Sequence, residues 1–451
     1  MEKHPSPIAI QIVDIELRKR DGQSVSLMPQ FLEFCLYQSV FQPMMRAELR
    51  LIDPIGLFYN FPMIGEETIK IKYRPTRAAP GSGDEARANA QVLEMEFMVN
   101  SAEGIAPDDK AKQQTYILEL YSIEMLVNAK TKVQRAFNEN YSSSAKKVLK
   151  EDLGAAPTKI KDTLFEPSKG IYHYIVPNLK PLETVAWMAK RAVPEDTKHS
   201  FYMFYENFDG YNFRSLEHII EKGMGGTVPD YYYVSNQDKI AIERLQTPAG
   251  GKIQKHQVMT AMQTDKRFHT LEKSIFGYFE NEFYDIDVFN KKITSTRTRL
   301  QPISDPDLKK YNMNTDGFIK LLQTDTDKPG TGPRTHYKVT IDGGDQPGKP
   351  AFWEKKFGPV TKTHTGMSQI SITASLPGDT NIQAGSIVRI DIPEVYGFTT
   401  VKEDRYLVGH YVVISIKHLI TAGERHVMVV ELHRANFEKT ISNKIEYYVG
   451  E

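Results

Sequence analysis

The sequence predicts a β-rich α+β protein, with two related small antiparallel β-barrels, a middle α/β domain and an irregular insertion. Three observations carry this reading: strand after strand from residue 8 to about 126, a change to helical periodicity after Ser122, and a return to strong β pattern after residue 366. A chain of 451 residues exceeds what one hydrophobic core organises, so several domains are expected.

In "MMRAELRLID", Ala47, Leu49 and Leu51 alternate with Arg46, Glu48 and Arg50, the pattern of a strand with one buried and one wet face. "QVLEMEFMV" repeats it, with Leu93, Met95, Phe97 and Val99 against Glu94 and Glu96. Between them "RPTRAAPGSGDEARANAQ" is rich in Pro, Gly and Ala and reads as a long hairpin tip. Closely spaced antiparallel strands of this kind predict a first barrel over residues 1–126.

Over residues 127–255 the spacing predicts the α/β domain. "SIEMLVNAK" and "SSSAKKVLKEDLG" are helical, the second with a serine cap, a stripe of Val148, Leu149 and Leu153, and Gly154 as terminator. In "VPNLKPLETVAWMAKRAVPED", Pro181 opens a helix whose buried face carries Leu182, Val185, Ala186 and Ala189. "SFYMFYENFDGYNFRSLEHII" predicts an aromatic hairpin turning at Asp209-Gly210.

The second barrel is expected from residues 256–300 together with 366–442, where Ile370, Ile372, Ala374 and Leu376 alternate with Ser371, Thr373 and Ser375 and Gly385 sits at a turn. Residues 301–365, rich in Pro, Gly, Asp and Thr, read as an insertion with short helices near "DGFIKLLQ" and "PAFWEKKFG". Residues 443–451 form a C-terminal tail.

Composition bounds the function. Lys+Arg and Asp+Glu are both 57, so there is no basic excess to neutralise a polyphosphate backbone, and nucleic-acid binding is disfavoured. Such a surface would let DNA slide past. The aromatic content, mostly 23 Tyr and 22 Phe, suits strands and contact surfaces. The single Cys35 excludes an intramolecular disulfide and a multi-thiolate metal site, and reads as a buried strand residue. The N-terminus has no apolar region of signal-peptide type, and no window approaches the apolar run of a membrane helix, so neither export by a cleavable signal nor membrane insertion is expected.

Catalytic motifs are largely missing. "GMGGT" and "GGKI" lack the residues of a phosphate loop and read as turns, while "DTDKPGTG" carries Pro329 and His336 where a calcium loop needs ligands. His410, His418, His426 and His433 lie on two successive strands and could bring three imidazoles together, but no HxxxH helix or fixed carboxylate accompanies them. No metal and no cofactor are predicted. Cys35 has no cationic neighbour nearer in sequence than Arg46, and no GxSxG elbow is present. Composition leaves room for an acid/base carboxylate pair, although spacing singles none out. No enzymatic activity is expected.

Several stretches together resemble the baseplate hub proteins of contractile-tailed bacteriophages, the T-even hub family. "LIDPIGLFYNFPMIGEETIKI" is similar to its first-barrel segment, through Ile52, Asp53, Pro54, Gly56 and Leu57, then Pro62, Gly65, Glu66, Glu67, Ile69 and Ile71. "YILELYSIEMLVNAKTKVQRAFNENYSSSAKKVLKEDLG" resembles the family's crossover from barrel to helical domain. Pro177, Pro181, Trp187, Phe204, Asp209, Gly210, Phe213 and Leu216 carry its helix-then-aromatic-hairpin module. The resemblance covers residues 8–220 and, by pattern, 366–440, and nothing in 256–365.

It implies a trimeric ring whose chains each supply two related barrels, giving pseudo-sixfold symmetry. One side would meet a hexameric tail tube and the other a trimeric central spike, with peripheral wedge proteins as further partners and DNA only in transit through the axial channel. The location implied is the virion tail baseplate, after synthesis in the host cytoplasm. Leu57, Phe58, Tyr59 and Phe61 are then candidates for a subunit or domain interface, with packing inside the chain as the alternative. The rival functions are the hub portion of a related injection machine (type VI secretion or a phage-derived particle), a tail-associated peptidoglycan hydrolase, and a host-receptor-binding protein.

Overall fold

The computed structural model describes residues 10–75, 92–108, 113–194, 201–233, 257–267, 269–288, 290–299, 323, 334–340, 370–392, 407–422 and 425–434. It is β-rich α+β, with helices concentrated in the middle of the chain. The expected hairpin tip after Pro75, the calcium-like "DTDKPGTG", the "GGKI" turn and the two helices of the insertion lie almost wholly outside the described residues.

The N-terminal strands are β1 (Ile10–Arg18), β2 (Ser24–Ser26), β3 (Phe31–Ser39) and β4 (Arg46–Asp53), followed by the one-turn helix α1 (Leu57–Asn60), then β5 (Thr68–Pro75), β6 (Leu93–Asp108) and β7 (Gln113–Ser122). They pair antiparallel in the order β2-β1-β5-β6-β7-β4-β3. The alternation read in β4 is what the sheet uses: Ala47, Leu49 and Leu51 are buried, and Leu49 stands opposite Phe34 on β3 and Leu118 on β7. The sheet curls. Phe34 and Phe97, on strands separated by two others, bring their ring centroids within 6.3 Å, where flat strands about 4.8 Å apart would hold them at roughly twice that. Each such buried side chain contributes about 1.5–3 kcal/mol through apolar burial.

The middle segment holds α2 (Glu124–Lys130), β8 (Ala136–Glu139), α3 (Tyr141–Lys147), β9 (Tyr172–Ile175), α4 (Pro181–Ala189), the hairpin β10 (Tyr202–Asn207) and β11 (Gly210–Ser215), and α5 (Leu216–Met224). The cap of α3 is Asn140, whose side chain accepts the Ser143 N–H at 2.8 Å, rather than one of the serines that follow it. Asn140 is placed to do this because its backbone is extended while the serines already lie inside the helix. The helix widens into a π turn at Val148–Asp152, and Gly154 ends it at φ +70°. Val148, Leu149 and Leu153 are buried, as are Leu182, Val185 and Ala189 of α4.

The hairpin turns one residue earlier than the sequence suggests: Asn207 pairs with Gly210, so Phe208 and Asp209 form the turn. Gly210 is needed for another reason. Its φ is +125°, and a Cβ there would lie 2.3 Å from the Lys159 carbonyl oxygen.

The remaining strands are β12 (Asp230–Tyr233), β13 (Val258–Met259), β14 (Ala261–Arg267), then, after α6 (Thr270–Ile275), β15 (Glu280–Asp287), β16 (Lys292–Arg299), β17 (Thr335–Thr340), β18 (Ile370–Pro377), β19 (Ile387–Asp391), β20 (Gly409–Thr421) and β21 (His426–Arg434). Six pairings form a closed circuit: β14 with β18, β18 with β21, β21 with β20, β20 with β19, β19 with β12, and β12 with β13. β13 runs into β14 through Thr260, whose N–H donates to the Ser375 carbonyl. The buried Ile370, Ile372, Ala374 and Leu376 pack in this core with Val388, Ile390, Val413, Met428 and Val430.

One strand belongs to both sets. The second half of β20 pairs with β3 from Ser415–Ser39 to Thr421–Glu33, making a single 14-stranded sheet. Residues 280–299, expected to join the second set, instead form a three-stranded sheet with 335–340 from the expected insertion. Their composition explains this. Glu280 and Glu282, both buried, pair with Arg297 and Arg299 across the β15–β16 pair, a charged face that an apolar core does not accept.

Candidate functional site

The segment from Asp53 to Glu67 is a braced loop. The Asp53 carboxylate, at the end of β4, accepts the N–H groups of Ile55 and Leu57, the first residue of α1, while Gly56, the N-cap, takes φ +68°. At the far end, the buried Glu67 carboxylate accepts the N–H groups of Ile64 and Gly65, at 3.0 and 2.8 Å, with Gly65 at φ +90°. The polar residues of the "IDPxGL" and "GEE" stretches thus satisfy the loop's own backbone.

Of the candidate interface residues, Leu57 is 1% exposed and belongs to the first core. Phe61 is half-buried against that core, with the Lys19 ammonium 4.1 Å from its ring centroid. The side chains of Phe58 and Tyr59 lie outside the described residues. Among the described side chains, the large apolar groups this loop offers to solvent are Ile55, 56% exposed, and Ile64, 76% exposed. Sequence reasoning passed over both because an isolated isoleucine next to aromatic neighbours carries no pattern of its own.

The β10–β11 hairpin is where the three cores meet. Tyr202, Phe204, Tyr211 and Phe213 face the helical core, Met203 and Tyr205 enter the core of the closed circuit, and Phe208 at the turn packs against the first core. A buried ionic cluster fastens it. Glu206 is 0% exposed; its carboxylate binds Lys159 Nζ at 2.8 Å and accepts the Met45 N–H at 2.9 Å and the Ser122 hydroxyl at 2.7 Å. Lys159 also binds Glu124 at 2.8 Å.

Burial alone would lower the Lys159 pKa, but the charges of Glu206 and Glu124 and the hydrogen bonds to them outweigh it and hold the ammonium above its ordinary value. Two carboxylates face one ammonium, and the two extra donors, from Met45 and Ser122, stabilise the surplus negative charge. The cluster ties β4 and β7 to α2, to the turn at Lys159 and to the hairpin. Gln38 of β3 adds a link to the second set, accepting the Ala384 N–H at 3.2 Å.

Of the four histidines on β20 and β21, the structure brings two together rather than three. His418 Nδ1 lies 3.1 Å from His426 Nε2, whereas His433 bonds Glu431 and His410 stands opposite Arg389. Among the described residues there is no group of three or more His, Cys, Asp or Glu able to hold a metal. Burial, with a hydrogen bond to Glu33, pushes the Cys35 thiol up to about 11, which suits an inert core residue. No described helix is long and apolar enough to cross a membrane.

No protein-family model and no curated protein matches the sequence. Solved structures do. A tail protein from Neisseria meningitidis MC58 aligns at TM-score 0.51 and 10% identity, covering 93% of this chain and 96% of its own. The 43 kDa tail protein of prophage MuSo2 from Shewanella oneidensis aligns at TM-score 0.51 and 9% identity, covering 94% and 98%. Across nearly its whole length, this chain has the fold of these two tail proteins.

Proposed function

We propose that this chain is a structural, non-enzymatic hub of a contractile phage tail baseplate. The observation that supports it most is the shared fold with two tail proteins over almost the full length of both partners. In this reading the two strand sets are related barrels, and three chains close into a ring that presents six similar edges to a hexameric tail tube and a threefold face to the spike. Closed cyclic symmetry satisfies every copy of such an interface. The charge balance of 57 basic and 57 acidic residues suits an axial channel that DNA crosses without sticking.

A hub that transmits force between tube and spike has to keep its strand sets in fixed relation. The shared strand β20, the doubly buried hairpin and the Glu206–Lys159–Glu124 cluster supply that rigidity. The exposed Ile55 and Ile64 join the candidates Phe58, Tyr59 and Phe61 as groups of the braced loop that a neighbouring subunit would meet.

Light scattering with and without tube and spike proteins tests the assembly. Three chains of 51.4 kDa give about 154 kDa. A chain that stays monomeric with both partners present excludes the hub reading, and carboxylate-dependent release of cell-wall fragments would replace it with a hydrolase.

A further inference from the structure

We propose that His418 and His426 form a pH-sensitive lock that holds the turn of the β10–β11 hairpin against the strand shared by the two β sets. Both imidazoles are buried, 3.1 Å apart between Nδ1 of one and Nε2 of the other. They sit at the seam between the cores. His418 is paired with Leu36 of β3 on one side and Met428 of β21 on the other, and its ring centroid is 5.2 Å from that of Phe208 in the hairpin turn. Phe208 in turn packs on Tyr73 of β5, at 6.2 Å. The His426 ring fills the space over Gly378, where a Cβ would come within 2.2 Å of it.

The proton inventory makes this a switch. Two neutral imidazoles have one N–H each, and the bond between them uses one N–H and one lone pair. The outer nitrogens, His418 Nε2 and His426 Nδ1, have no partner. Adding one proton leaves two buried N–H groups without acceptors and places a charge in the seam, and a second proton sets two N–H groups against each other.

Among the described residues, no carboxylate hydrogen-bonds the pair. Asp209 of the hairpin turn accepts from Gln383, Asp379 beside Gly378 accepts the Asn381 N–H, and the Lys417 ammonium lies over Tyr37. Glu33 of β3 is bonded by the Cys35 thiol, and Glu431 of β21 binds Ser415 and His433. None of these groups hydrogen-bonds either imidazole of the pair. Burial accordingly pushes His426 down to about 4, and burial followed by the charge of His426 holds His418 well below the ordinary histidine range.

For a base whose pKa falls on folding, the closed state is fully favoured above the unfolded value near 6.5 and loses ground as pH drops toward the folded value near 4. Each proton bound only in the open state is worth tenfold per unit, so His426 alone should raise the opening equilibrium at this site by roughly 300-fold over that interval, and His418 adds to it. The lock is therefore tight at neutral pH and releases the hairpin turn in acid.

The test has two arms on the full chain. Hydrogen exchange of peptides spanning residues 207–210, corrected for intrinsic rates, should show opening that grows at least about tenfold per pH unit below pH 6.5, one factor of ten for each imidazole released. The double variant H418L/H426F should flatten that slope, and an unchanged slope in it would overturn the proposal. Titration of ¹⁵N-labelled imidazoles in the unaltered protein needs no variant. It should give a midpoint of about 4 for His426 and one well below the ordinary histidine range for His418, and a midpoint near 6.5 for either would also overturn the proposal.

Discussion

Replacing Glu206 with Ala should loosen the hairpin more than any change of similar size on the surface. The substitution removes the acceptor of the Met45 N–H, a buried donor whose loss of partner costs about 1–3 kcal/mol. It also removes one of the two carboxylates on Lys159. Breaking a buried pair in this way costs about 3–5 kcal/mol when the remaining charge is left alone. Here Glu124 stays at 2.8 Å and the Lys159 side chain is 28% exposed, so the ionic share is far smaller and about 3 kcal/mol in total is expected.

The assay should be local, because a chain with three cores need not unfold in one step. Native-state hydrogen exchange over Tyr202–Ser215 reports the opening of this hairpin directly, and 3 kcal/mol corresponds to exchange roughly 150-fold faster. Glu206→Gln, which keeps an acceptor and the packing, should lie between the two. An increase of less than about tenfold for Glu206→Ala would mean that the cluster does not hold the hairpin.

Other outcomes follow from the same geometry. Gly210→Ala should destabilise the protein by about 2 kcal/mol or more, because φ +125° and the Lys159 carbonyl both reject a Cβ, whereas Gly22→Ala, at φ +91° in open space, should cost less; thermal unfolding of the two variants checks this. Leu57→Ala should cost about 2–5 kcal/mol of chain stability as a cavity in the first core. Ile64→Ser should change it by less than about 0.5 kcal/mol while weakening any assembly that uses the loop, which urea melts and dilution-series light scattering separate. Lys159→Met leaves Glu124 and Glu206 facing each other without a cation and should cost about 3 kcal/mol or more of stability; an unchanged urea midpoint would refute the ionic account.

Much of the architecture was legible in the chain itself. Alternation located β4, β6 and β18 because a strand with one wet face writes its burial into every second residue. Pro181 and Gly154 marked a helix start and a helix end because their backbone restrictions act locally. Tertiary structure decided the rest. An aromatic run cannot say that its even and odd residues enter two different cores, as Phe204 and Tyr205 do, since both faces are equally apolar. Nor can spacing announce that positions 124, 159 and 206 share one buried charge cluster, or that of four strand histidines only His418 and His426 meet. The histidine contact depends on the long-range register of β20 against both β3 and β21, and register between distant strands is fixed by packing of the whole sheet rather than by any window of sequence.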